Sequence, residues 1–112
     1  MESKKTTKKT IHTNDIIQAA YEFALDCYGV VGVANKGLNN KITISNKDNA
    51  KKGIVVRKIS DTNFSIDIAL VLSSNVKISE SIRETQKTVR YLLNKKFNNT
   101  CKTVNVYALA VN

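Results

Sequence analysis

From Phe64 to Leu72 the chain is apolar at every second position. Phe64, Ile66, Ile68, Leu70 and Leu72 alternate with Ser65, Asp67, Ala69 and Val71. A period of two is that of a β-strand, and the unbroken apolar set commits one face of it to a core. Gly53 to Ile59 precedes it as a β-branched run, and Ser60-Asp61-Thr62-Asn63 supplies turn residues. The pair reads as a hairpin around which everything else must pack. A turn centred between Asp61 and Thr62 sets Asp67 diagonal to Lys58, within pairing reach on the outer face. The same register puts Ile54, Val56, Ala69 and Val71 on that outer face. A half-apolar outer face wants a cover, so these four residues are the candidate self-association surface.

Helical periodicity appears twice. Ile16, Ile17, Ala20, Phe23, Ala24 and Cys27 share one side of a helix over about 15–28, with Thr13 or Asn14 as N-cap and Gly29 as its stop. Ile78, Ile82, Thr85, Val89, Leu92 and Leu93 stripe a second helix over about 77–97. Residues 29–35 read as extended, and Ile42-Thr43-Ile44 as a brief strand inside a Lys/Asn-rich flexible loop spanning 36–52. Lys102 to Val111 reads as a final strand. The fold class is therefore α+β: a two-layer sandwich of αββαβ order, two helices on one face of a three- or four-stranded mixed sheet. The helix between the hairpin and the last strand is a crossover, which allows those strands to run parallel. Residues 1–12 lack periodicity and read as a mobile basic tail, leaving 13–112 as one domain.

The chain carries 18 Lys and Arg against 9 Asp and Glu, a net charge of +9. Such a balance attracts nucleic acid and anionic membrane surfaces. Codon usage of an AT-rich genome is the other reading, since Lys, Asn and Ile dominate and only Arg57, Arg83 and Arg90 are arginines. Arg83, Lys87 and Arg90 fall within about 60° of each other on the second helix. With Lys51 and Lys52 they are the candidate anion- or partner-binding residues. Lysines without base-reading neighbours give weak, sequence-blind, salt-sensitive contact with nucleic acid or anionic lipid.

Catalysis finds few parts. The only histidine, His12, lies in the tail. Cys27 sits at core spacing with no histidine to activate it, and Cys101 follows a polar loop where exposure is expected. Two distant cysteines and one histidine do not make a metal site. No catalytic residue, metal, cofactor or small-molecule substrate is expected. No apolar run approaches the roughly 20 residues of a spanning helix, and no secretory signal is visible, so cytoplasmic residence is expected. Gly29-Val30-Val31-Gly32 matches the G-x-x-G of KH RNA-binding modules, but its central valines carry no charge. It reads as a helix stop with tight packing.

Five pieces, in order, resemble the alkaline shock protein family, envelope stress-response proteins of Gram-positive bacteria. They are the Ile17–Ala24 helix, Gly29-Val30-Val31-Gly32-Val33, Gly53-Ile54-Val55-Val56, Ile66 to Val71 followed by Asn75-Val76-Lys77-Ile78, and Val104-Asn105-Val106-Tyr107. The resemblance covers residues 14–111. It implies a small non-enzymatic cytoplasmic protein of envelope or stress homeostasis, acting through protein partners or copies of itself and at the inner face of the membrane. The alternatives from other classes are a KH-like RNA-binding module and a peripheral binder of anionic membrane.

Overall fold

The computed structural model describes residues 12–37 and 41–112. The elements are α1 (Thr13–Leu25), β1 (Val30–Lys36), β2 (Ile42–Ile44), a 3-10 helix (Lys47–Lys52), β3 (Ile54–Lys58), β4 (Phe64–Leu72), α2 (Ile78–Lys96) and β5 (Cys101–Val111). The lysine-rich stretch before Ile11 lies outside the described residues. His12 is the N-cap of α1 and makes no side-chain capping bond, so the helix starts a residue or two before the Thr13 or Asn14 cap expected from sequence.

The alternating strand β4 is the hub. One edge pairs in parallel with β5 from Phe64 to Leu72. The other edge is divided: Phe64 to Ile68 pair antiparallel with β3, and Leu70 to Leu72 pair antiparallel with β1. At the junction the Ala69 amide donates to the Gly53 carbonyl at 2.8 Å. β2 adds to the far side of β1, completing a five-stranded mixed sheet. The fold is α+β as expected, with five strands where three or four were read. The additional strand is β1, whose short apolar run carries no alternation to mark it.

Both helices cover one face. Ile16, Ile17 and Ala20 of α1 and Val89 and Leu93 of α2 form one core with Phe64, Ile66, Ile68, Leu70, Val104 and Val106. Ile78 is instead exposed, and Ser81 and Thr85 are buried along the stripe. The 36–52 stretch contains β2 and a 3-10 helix capped by Asn46, whose side chain accepts from the Asp48 and Asn49 amides at 2.9 and 3.1 Å.

The hairpin register differs from the one expected. Ile54 pairs with Ile68 and Val56 with Ile66, so the turn is centred on Asp61. A turn half a residue later would oppose Ile54 to Ala69 and Val56 to Asp67. That slip exchanges the faces of a strand. Ile54 and Val56 therefore pack in the helix-covered core, while Ala69 and Val71 remain on the opposite face with Ala34, Ile42 and Ala110. The same shift gives Asp67 to Arg57 rather than to Lys58: Arg57 Nη2 donates to Asp67 Oδ1 at 3.0 Å.

Two glycines meet the demands their positions make. Gly29 has φ +86°, in the left-handed region, and a β-carbon there would lie 2.8 Å from Val76 Cγ1. At Gly53 a β-carbon would overlap the Ala34 carbonyl oxygen, where β1 and β3 meet end to end. Gly53→Ala is expected to lower stability by about 1–3 kcal/mol through overpacking against backbone. Gly37→Ala, where the nearest atom is 3.7 Å away, should stay within about 0.5 kcal/mol. Urea midpoints check this, and equal midpoints for the two variants would refute the divided-edge constraint.

Candidate functional site

Two surfaces carry the polar organisation of the described residues. The first is the open face of the sheet. The strand period aims Val55, Arg57, Asp67, Asn105 and Tyr107 away from the helices, and the register lines them up across β3, β4 and β5. Asp67 Oδ1 accepts from Arg57 Nη2 at 3.0 Å and from Asn105 Nδ2 at 2.9 Å. One carboxylate thus bridges three strands. Val55 and Tyr107 flank it, 51% and 47% exposed. Ala69 and Val71 continue the face but are buried, against Ile42 and Ala110.

The second surface is the seam between α2 and the edge strand β5. Gln86, Arg90 and Asn94 recur at a spacing of four, one stripe of a helix. Each reaches a backbone group of β5. Gln86 Oε1 accepts from the Val106 amide at 3.0 Å, Arg90 Nε donates to the Lys102 carbonyl at 3.1 Å, and Asn94 Oδ1 accepts from the Cys101 amide at 2.7 Å. An edge strand presents unpaired backbone groups that invite aggregation, and these three side chains occupy part of that edge. Beside the ladder lies a depression of about 540 Å³ lined by Lys87, Arg90, Tyr91, Asn94, Asn99 and Lys102 among others.

The sequence candidates divide accordingly. Lys87 and Arg90 join at the seam, with Lys102 as a cation that sequence reading missed. Arg83 does not line that depression, and Lys51 and Lys52 end the 3-10 helix on a different part of the fold. Gln86 and Asn94 were also missed. Their signal is the four-residue repeat with Arg90, which has meaning only once β5 lies alongside. A second depression, of about 560 Å³, opens where α1 ends and α2 begins, with Asp26, Glu80 and Glu84 against Lys77.

Both cysteines are reduced. Cys27 is half-buried and donates to the Phe23 carbonyl at 3.5 Å. Burial pushes its thiol pKa up, Thr85 lowers it by less, and Asp26 adds a smaller upward push. Cys101 was expected in an exposed loop. It is instead the first residue of β5 and 2% exposed, because the reversal is made earlier by Asn98 and Asn99, both left-handed at φ 59° and 62°. Burial pushes the Cys101 thiol up to about 11, against smaller lowering effects of Arg90 and the Thr103 backbone.

A profile for alkaline shock protein 23, described as a family of cell envelope-related function, matches residues 1–112. The chain belongs to the alkaline shock protein 23 family. The resemblance read from its strand and glycine motifs therefore extends over its whole length. Among its relatives, the uncharacterized protein YloU of Bacillus subtilis (strain 168) is 33% identical over 102 residues, covering 88% of this chain and 84% of the relative. The uncharacterized protein Spy1614 of Streptococcus pyogenes serotype M6 is 38% identical over 86 residues, covering 75% and 70%. Solved structures of the MamM CTD share the fold. One zinc form matches with a TM-score of 0.57 at 16% identity, covering 89% of this chain and 87% of that one. A second structure of the same MamM CTD variant matches with a TM-score of 0.56 at 15% identity, covering 88% and 95%. At such identity the likeness concerns the α+β architecture alone. For this alkaline shock family member, no helix among the described residues is long and apolar enough to cross a membrane.

The thiols give a prediction with a definite sign. A folded-state pKa raised to about 11 from the ordinary 9.0 means the folded chain favours protonated Cys101. Its contribution to stability is complete below about pH 9 and is lost as pH rises toward 11. In the same window the thiolate forms. At about pH 8 a disulfide reagent should modify Cys27 at least about tenfold faster than Cys101, because only the thiolate attacks and Cys101 is shielded. Mass spectrometry of the time course checks this, and equal rates would refute it.

Proposed function

We propose that this chain is a non-catalytic interaction protein of its cell envelope-related family, placed on the cytoplasmic side and working at the inner face of the membrane. Its own second copy is the partner that best suits the open sheet face. The observation carrying this reading is the Arg57–Asp67–Asn105 bridge between exposed Val55 and Tyr107. The charges at the centre of that face neutralise each other. Two copies can therefore stack there, flat sheet on flat sheet, without opposing unpaired like charges, although the chain as a whole is strongly basic.

The non-catalytic part of the reading is supported by the placement of the titratable groups. His12 is exposed at the start of α1, and the two thiols are raised rather than lowered in pKa, the wrong direction for a nucleophile. Among the described residues no three His, Cys, Asp or Glu side chains converge as a metal would need. Turnover in a broad substrate screen that survives repurification and vanishes in Cys27→Ala would overturn it.

Self-association is tested by light scattering at high micromolar concentration. The wild-type chain is expected at twice its 12.4 kDa mass or more. Val55→Glu combined with Tyr107→Glu should give the monomer with an unchanged circular dichroism spectrum, since both side chains are exposed and their loss removes no core contact. A wild-type chain that stays monomeric, or a double variant that still associates, would remove this face from consideration.

A further inference from the structure

The ladder that holds α2 to β5 leaves its members pointing outward with hydrogen-bonding capacity to spare. Arg90 commits Nε to the Lys102 carbonyl, and a guanidinium has five N–H donors. Asn94 commits its carbonyl oxygen to the Cys101 amide, which turns its amide nitrogen the other way. The Asn99 amide bonds the Asn94 backbone carbonyl at 2.8 Å, fixing the left-handed reversal that walls one end. These donors are therefore oriented by backbone contacts before any ligand arrives, which spares the ordering cost that free surface side chains incur.

The depression they line is also uniform in charge. Lys87, Arg90 and Lys102 face it from two elements, and no carboxylate is among its lining residues. The neighbouring depression at the other end of α2 is lined by three carboxylates and one lysine. The positive charge is thus segregated by site, which an even excess of lysine would not produce. Glu84 lies 3.9 Å from Lys87, but both side chains are exposed and the pair is weak. Tyr91 borders the depression, 63% exposed, with Lys95 Nζ 5.8 Å from its ring centroid. A volume of about 540 Å³ lies within the roughly 300–1,000 Å³ range of small-ligand clefts.

The geometry points to a nucleotide-binding site at the α2–β5 seam: Arg90, Lys102 and Lys87 hold the phosphate, Asn94 donates to it, and Tyr91 stacks on the base. Arg and Asn donors in fixed orientation match the tetrahedral, multiply accepting phosphate, and an aromatic ring beside cations accepts any base without reading its edge. A recessed site suits a single nucleotide unit, free or within a single strand, better than the broad headgroup plane of a membrane. The inference is independent of self-association, which uses the opposite face of the sheet.

The test is titration of the full-length chain, followed by amide chemical shifts and by Tyr fluorescence, with uridine monophosphate, hexauridylate, inorganic sulfate and phosphatidylglycerol vesicles. Shifts confined to the C-terminal half of α2, the following turn and the start of β5 on adding uridine monophosphate or hexauridylate, with affinity falling about tenfold or more in Arg90→Gln/Lys102→Gln, are expected. Arg83→Gln, outside the depression, should leave affinity within about twofold of wild type. A stronger response to hexauridylate identifies a strand as the source, and an equal one the free nucleotide. Thermal melting of the double variant separates lost binding from lost folding. If that variant is unfolded, Lys87→Gln and Tyr91→Ala, both exposed, give the same reading. Equal response to sulfate and uridine monophosphate, binding only to vesicles, or nucleotide binding unchanged in the folded variants would each overturn the assignment.

Discussion

A strand has two edges, and β4 serves three partners. This is the constraint on which the rest of the structure depends. β5 takes one edge entirely, and β1 and β3 share the other end to end. The division works because Gly53 brings the backbone of the incoming β3 against the Ala34 carbonyl, closer than any β-carbon allows. With both edges occupied, β4 buries five alternating apolar side chains on one face, and the two helices have a single surface on which to pack. The opposite face is left open by the same arrangement, since no element of the described residues returns to cover Val55 and Tyr107.

The helix layer also closes the sheet laterally. β5 is an edge strand, and α2 spends three side chains of one stripe on its backbone. A helix ordinarily contributes an apolar stripe to a core and a solvated face to water. Here a third stripe, between the other two, does polar work on a strand. α2 also buries Ser81 and Thr85 along its core line. It is held from two sides, by apolar packing at Val89 and Leu93 and by the ladder at its margin. Ser81 adds an anchor by donating to the Tyr28 carbonyl at 3.2 Å, tying the start of α2 to the turn at Gly29.

Family membership and geometry agree in character. The motifs that carry the resemblance to alkaline shock proteins sit where the fold is most constrained: Gly29 at its left-handed turn against Val76, Gly53 at the strand junction, and Asn105 in the bridge on Asp67. They are positions of backbone approach and strand registration.

The elements α1, β3, β4, α2 and β5 were legible in the sequence because each carries its own period, two or 3.6, within a short stretch of chain. The turn at Ser60 to Asn63 was legible for the same reason, since turn chemistry is local, whereas α1 ends at Leu25, ahead of the stop expected at Gly29, which instead makes the left-handed turn into β1. β1 was visible only as an extended run, because its pairing with β4 joins residues some forty positions apart and leaves no periodic mark. The face on which Ile54 and Val56 lie turned on half a residue in the centre of one turn, a difference that composition does not encode and packing of the core does. The Gln86–Arg90–Asn94 ladder and the meeting of Lys87 and Arg90 with Lys102 came only from the tertiary structure. A polar side chain acquires a role from the backbone group it faces, and which group that is depends on where the chain returns.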